Sequence, residues 1–381
     1  MTIVLTGGGT GGHIYPALSI AAALDRRGAR TLFIGNGNGL EARLVPQHHV
    51  AFAPIAAKGF GHRGPKEFAA GTIAVVRGMA DATRHLRSHR VGAIVGTGGY
   101  ASASVVLAGV LLRIPVILHE PNVVAGQANV WLSRFAQRVA VGFEATIDRL
   151  PRHKCVVTGV AVRVPAGIPG KEQARKALDL DPERPVLLVV GGSQGAVALN
   201  ETTAAALDRF GAMGLQVVHQ TGPKHYEDVA RVSSVTRPWY RAFPYIEDMT
   251  SAYAAADVAV TRSGASTVAE VALYGLPTVF IPFPFAADDH QRANAALYES
   301  AGAGRLLPQA DLTAEALIAN VTELMEPSRR ATMQARLAGL ARPKAADDIA
   351  RLTMELARRS RNEAAEHPEG ETVGSGGHPT R

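Results

Sequence analysis

The 381-residue sequence predicts an α/β protein built from two similar doubly wound domains facing a cleft. Three observations lead there. The length exceeds what one hydrophobic core commonly serves. Short apolar runs alternate with amphipathic stretches along the chain, the pattern of parallel sheets covered by helices. The opening motif, a buried strand followed by a glycine turn and a helix, returns near residue 185.

In the first half, strands are expected at residues 3–6, 30–35, 93–96, 116–119 and 138–141. A helix is expected at 16–27, with Pro16 in its first turn and Gly28 just past its end. The second half gives strands at 185–190, 216–219, 258–261 and 278–281, with helices running to Leu207 and over 265–274. Residues 164–170 hold two prolines and two glycines and read as a linker. The expected division is therefore 1–163 and 164–345, then a last helix within 346–360 and a disordered tail over 361–381.

Composition is that of a water-soluble globular chain, with 47% hydrophobic and 19% charged residues. A lone Cys155 excludes an intrachain disulfide and reads as a small core residue, in keeping with a reducing cytoplasm. Met1 leads directly into the first strand with no basic leader. The longest apolar stretch, 105–118, is broken by Arg113 and Pro115, short of the roughly 20 residues that span a bilayer. Residues 1–163 carry 18 Lys and Arg against 7 Asp and Glu, whereas 164–381 carry 22 against 26. The basic half calls for an anionic partner: phospholipid, a lipid diphosphate or nucleic acid.

Gly7, Gly9 and Gly12 match the spacing of a dinucleotide-binding turn. A nicotinamide dehydrogenase needs an acidic residue at the end of the second strand to hold a ribose. That strand ends Phe33-Ile34-Gly35-Asn36-Gly37, with no carboxylate before Glu41, so this reading is the weakest. Two further turns, Gly96-Thr97-Gly98-Gly99-Tyr100 and Gly191-Gly192-Ser193-Gln194-Gly195, suggest diphosphates approached from two sides. In Arg262-Ser263-Gly264-Ala265-Ser266-Thr267-Val268-Ala269-Glu270, the hydroxyls fall in the first turn of a helix. Glu270 follows one turn later, where a carboxylate can accept from a ribose diol.

These motifs, together with Gly8-Gly9-Thr10-Gly11-Gly12-His13-Ile14-Tyr15-Pro16 and Asp288-Asp289-His290-Gln291-Arg292-Ala293-Asn294-Ala295, resemble the MurG family over about residues 2–345. The resemblance implies the GT-B fold, with two Rossmann-like domains. It implies inverting transfer of GlcNAc from UDP-GlcNAc to the 4-hydroxyl of MurNAc on undecaprenyl-diphosphate-MurNAc-pentapeptide (lipid I), giving lipid II. It places the ribose on Glu270, the diphosphate by Ser193 and the helix start Ala265, Ser266, Thr267, Val268 and Ala269, and the uracil near Arg163 and Ile246. His290 and Gln291 would meet the GlcNAc hydroxyls, and Thr10, Gly11, Gly12 and Asn122 would complete the donor site. The carrier diphosphate is expected at Gly98, Gly99 and Tyr100. No metal or other cofactor is implied, and Asp288-Asp289 reads as a helix start.

An inverting transfer needs a base for the acceptor hydroxyl. His13 is the first candidate, with His119 and Glu120 second. Around Arg163 the chain reads Gly159-Val160-Ala161-Val162-Arg163, where the family has Gly-Asn-Pro-Val-Arg. The resemblance also implies a peripheral protein at the cytoplasmic face of the bacterial plasma membrane. Its partners would be an anionic lipid surface and other cell-wall synthesis or division proteins, with no nucleic acid. Residues 73–79, with Arg84, Arg87 and Arg90 behind them, are the candidate membrane face. The other readings are a related GT-B enzyme with another acceptor, such as a glycolipid synthase, and a UDP-GlcNAc epimerase.

Overall fold

The structure is a computed structural model that describes residues 1–57, 65–232 and 237–366. Its first sheet contains β1 (Thr2–Thr6), β2 (Arg30–Asn36), β3 (Ala51–Ile55), β4 (Val91–Gly96), β5 (Val116–Glu120), β6 (Arg138–Val141) and β7 (Cys155–Val157). All pairings are parallel, in the order β3-β2-β1-β4-β5-β6-β7. The second sheet contains β8 (Val186–Val190), β9 (Gln216–Gln220), β10 (Tyr240–Phe243), β11 (Val258–Thr261), β12 (Thr278–Phe280) and β13 (Arg305–Leu306), parallel in the order β10-β9-β8-β11-β12-β13.

Strands buried on both faces need apolar residues at every position, which is why β8 reads Val-Leu-Leu-Val-Val without alternation. Ile3, Leu5 and Phe33 pack on one face of the first sheet with Ile14, Ile20 and Leu24. Val4, Ile34 and Ile94 pack on the other with Leu86 and Val105. β3, β10 and β13 escape a reading of the sequence because they lie toward the sheet edges and lack that signature: β3 contains Pro54, β10 reads Tyr-Arg-Ala-Phe, and β13 has two residues.

The strand order reverses between β1 and β4, and again between β8 and β11. In open parallel sheets a crevice forms outside the carboxyl ends of the strands at such a reversal. The three glycine turns and the Arg262–Glu270 motif follow β1, β4, β8 and β11. Every motif singled out by spacing therefore stands at a switch point.

Two expected helices differ in extent. The first runs Gly11–Asp25, so Pro16 lies inside it rather than in its first turn. Thr10 is extended (φ −142°, ψ 157°), and the helix starts at once after it, bringing its free N–H groups up to the turn. The last helix runs Ala345–Glu366. It takes in residues 361–366 of the expected disordered tail, whose remainder lies outside the described residues. Ala346, Ile349, Ala350 and Ala357 join the core of the first domain, and Asp347 pairs with Arg26 at 3.3 Å. The last described helix thus packs on the first domain. Val160 and Val162 of the crossover segment meet Ala265 in a small apolar junction between the domains.

Candidate active site

The first glycine turn is held from behind by a carboxylate. Glu41 is fully buried and accepts from the backbone N–H of Gly9 (3.3 Å) and of Asn36 (3.1 Å). Thr97 fixes His13 at two points: its hydroxyl donates to the His13 carbonyl (2.7 Å), and its carbonyl meets His13 Nδ1 (2.8 Å). A carbonyl only accepts, so Nδ1 carries the proton and Nε2 keeps its lone pair. Burial pulls the His13 pKa below the ordinary imidazole value, while the nearby charge of Glu120 works the other way. A lowered pKa favours the neutral imidazole, the form that can accept a proton.

Gly98 and Gly99 follow with φ of +99° and +82°, in the left-handed region that favours glycine. A Cβ on Gly98 would lie 2.9 Å from the His13 ring, and one on Gly99 would collide with the Gly8 backbone. The two loops of the first domain pack so closely that only glycine fits. Tyr100 lies over Gly9, and its hydroxyl accepts from Asn36 Nδ2 (3.1 Å).

The second-choice bases prove to have other tasks. His119 is wholly buried, with Nδ1 on the Ala140 carbonyl (3.0 Å) and Nε2 accepting from the Ala161 N–H (3.3 Å). Burial takes its pKa down to about 4. With both nitrogens engaged, His119 has no lone pair for a substrate. Glu120 accepts from Asn122 N (3.0 Å) and Nδ2 (3.1 Å), Gly126 N (3.0 Å) and Asn129 Nδ2 (2.9 Å). These bonds shape the loop after β5.

In the second domain, the helix Ala265–Leu273 begins after extended Gly264. Ser266 Oγ is buried with no partner, while Ser263 Oγ donates to the Gln291 carbonyl (2.8 Å). Glu270 accepts from Tyr253 Oη (2.9 Å), and burial raises its pKa to about 7. Arg262 donates to the carbonyls of Ile281 and Pro282 and stands over the Phe283 ring, so it clamps the loop that leads to His290. His290 Nδ1 bonds to the Ala287 carbonyl (2.7 Å), and Gln291 Oε1 accepts from Phe283 N (3.0 Å). Asp288 and Asp289, both left-handed, form the bend before the helix His290–Ser300. Arg163 is exposed near His48, Asp248 and Tyr274, on each of which its charge acts.

The halves meet through a residue that sequence reasoning missed. Asn294, fully buried, accepts from Val123 N (2.9 Å) and donates to Asn122 Oδ1 (3.2 Å) and the Ser263 carbonyl (3.1 Å). Its signal was its place one helical turn after His290, on the same face. Asn129 was missed too: buried beneath Gly98, it binds Glu120 and leaves its Oδ1 without a partner. Across the cleft, His290 is close enough to His13 to act on its charge, and Tyr15 Oη lies 3.4 Å from Tyr245 Oη.

Two parallel α/β domains with their switch-point loops facing each other form the GT-B fold. Residues 3–141 match the glycosyltransferase family 28 N-terminal domain, and residues 186–349 its C-terminal domain. A UDP-N-acetylglucosamine–N-acetylmuramyl-(pentapeptide) pyrophosphoryl-undecaprenol N-acetylglucosamine transferase from Alkalilimnicola ehrlichii is 40% identical over 361 residues, covering 94% of this chain and 99% of the relative. The crystal structure of Acinetobacter baumannii MurG superposes with a TM-score of 0.75 at 32% identity, covering 93% of this chain and 99% of that one. A UDP-GlcNAc 2-epimerase from Neisseria meningitidis shares the fold alone, with a TM-score of 0.65 at 13% identity and coverage of 93% and 100%. The chain belongs to the MurG family of glycosyltransferases.

Proposed function

We propose that this enzyme transfers GlcNAc from UDP-GlcNAc to the MurNAc 4-hydroxyl of undecaprenyl-diphosphate-MurNAc-pentapeptide, with inversion at the sugar carbon. The carrying observation is His13: a neutral imidazole, its Nε2 lone pair free, facing the helix that bears His290 and Gln291. Nε2 takes the proton as the acceptor oxygen bonds to C1 of GlcNAc. The bond from C1 to the β-phosphate oxygen breaks, and its electron pair leaves with UDP. The negative charge gathering on UDP is met by the N-terminus of the helix Ala265–Leu273 with Ser266 Oγ, and by Ser193 in the turn after β8. Glu270, steadied by Tyr253, takes the ribose diol. Gln291, its Oε1 held by Phe283, presents its amide nitrogen to a sugar hydroxyl. The 4-hydroxyl of MurNAc then lies between His13 and the turn at Gly98, Gly99 and Tyr100, which takes the carrier diphosphate.

A UDP-release assay with UDP-GlcNAc and a short-chain lipid I analogue tests this. Release dependent on both substrates is expected; release with the donor alone, or only with another acceptor, would sink the reading and favour the epimerase or glycolipid synthase.

No described helix is long and apolar enough to cross a membrane. The helix Pro65–Ser88 exposes Ile73 (54%), Val76 (61%), Arg77, Arg84 and Arg87 at helical spacing on one face. That face suits peripheral binding to anionic lipid at the cytoplasmic side, where the acceptor's carrier lipid would be anchored. Sedimentation with anionic vesicles at low salt should carry the protein down; recovery in the supernatant would remove this part.

A further inference from the structure

We infer that Gln220 is a positioning residue for the donor: one buried amide that sets the backbone of both the diphosphate turn and the base-binding segment. The inference rests on the donor reading above. Gln220 ends β9 and is 3% exposed. Its Nε2 donates to the Gly192 carbonyl (3.0 Å), and its Oε1 accepts from the Ile246 N–H (2.8 Å). Both functional ends of the side chain are spent on main chain, one in each loop.

The consequence follows from peptide geometry. In a trans peptide the C=O and the next N–H point in opposite directions. The Gly192 carbonyl is turned inward, toward Gln220 and also toward the Gly195 N–H (3.0 Å). The Ser193 N–H of the same peptide therefore points outward, from an exposed residue at the switch point where the diphosphate is placed. Likewise the Ile246 N–H is turned inward, so the Tyr245 carbonyl points away from Gln220. Tyr245 stands at the cleft, where its hydroxyl faces Tyr15 of the other domain. An outward carbonyl can accept from the N3–H of uracil but opposes the bare N3 of cytosine. Gln220 thus offers a donor to the phosphates and an acceptor to the base without touching either.

The loop contacts support this. Gly192 adopts φ +92° and Gly195 φ +76°. A Cβ on Gly195 would collide with the Thr221 carbonyl and one on Gly222 with the Gln194 carbonyl, so the end of β9 is the surface on which the turn is moulded.

Calorimetric titration of the full chain with UDP and with CDP tests the inference, using Gln220→Leu and Gln220→Glu. Gln220→Leu should weaken UDP binding about 10- to 100-fold and reduce the preference for UDP over CDP. Gln220→Glu keeps an acceptor for Ile246 but sets a carboxylate oxygen against the Gly192 carbonyl. It should lose UDP affinity and keep the UDP preference, which also serves if the leucine variant does not fold. Val218→Ala, on the same strand, should lower the melting temperature and leave UDP affinity in place. Equal UDP affinity in wild type and both Gln220 variants would overturn the role of Gln220 alone, as would an equal affinity loss in Val218→Ala. Absence of UDP binding by the wild type would overturn the donor reading with it.

Discussion

The turns after β1 and β8 look alike in sequence and are built for opposite purposes. Behind the first sits a carboxylate, Glu41, which accepts and therefore draws the Gly9 N–H inward. Behind the second sits an amide, Gln220, whose Nε2 donates and draws a carbonyl inward. The Gly9 N–H is spent on that carboxylate, whose charge also acts on His13. The same charge does no harm beside a histidine that must gain a proton. On the proposed reading, the first turn mounts a base and the second cradles an anion. The residue behind a glycine turn, more than its spacing, decides what it holds.

The largest effect that can break this comparison is His13→Ala. Loss of the base should lower kcat about 10²- to 10⁴-fold with UDP affinity unchanged; an equal loss in UDP affinity would make the first turn a donor site after all. Next comes Glu270→Ala on the cradle side, expected to weaken UDP-GlcNAc binding about 100-fold, as loss of hydrogen bonds to a charged group allows. Because burial raises the Glu270 pKa to about 7, the carboxyl is protonated below that pH and loses acceptor capacity for the diol. Donor affinity measured by titration should therefore rise from pH 6 to 8 in the wild type, and the rise should vanish in Glu270→Gln.

Asn294→Ala removes the bridge between the halves and should reduce kcat/KM about tenfold, with a smaller change in UDP affinity. An unchanged kcat/KM would mean that the remaining contacts between the domains suffice for their register. The smallest effect is expected from Glu41→Gln, which keeps shape but turns one acceptor into a donor facing backbone N–H groups. A drop in kcat of about three- to tenfold is expected.

Much of this is legible in the chain. The uninterrupted apolar runs mark the central strands, and the glycine turns after them mark the switch points. Glu270 is legible as a candidate because a carboxylate one turn into a helix, after two hydroxyls, would reach a ribose if its phosphates sat at the helix start. Glu41 reads in the sequence only as a carboxylate too late for a ribose, and its bond to Gly9 N spans 32 residues, beyond any local pattern. His119 and Glu120 are candidates by chemical type and nearness to Asn122, but strand alternation sends the His119 ring into the core, toward Ala140 and Ala161. Asn294 bonds to residues 171 and 172 positions away, and no spacing rule reaches that far.

By itself, then, the sequence determined the two α/β domains, the turns at their switch points and the family, because buried parallel strands and left-handed turns restrict residue types locally. Tertiary structure decided which carboxylates brace and which bind, and which histidine keeps a lone pair. It also decided that the last helix returns to the first domain, where Ala346, Ile349 and Ala350 complete its core. The physical reason is the same each time. A side chain's protonation and direction are set by what packs against it, and those partners come from strands and loops far apart in the chain.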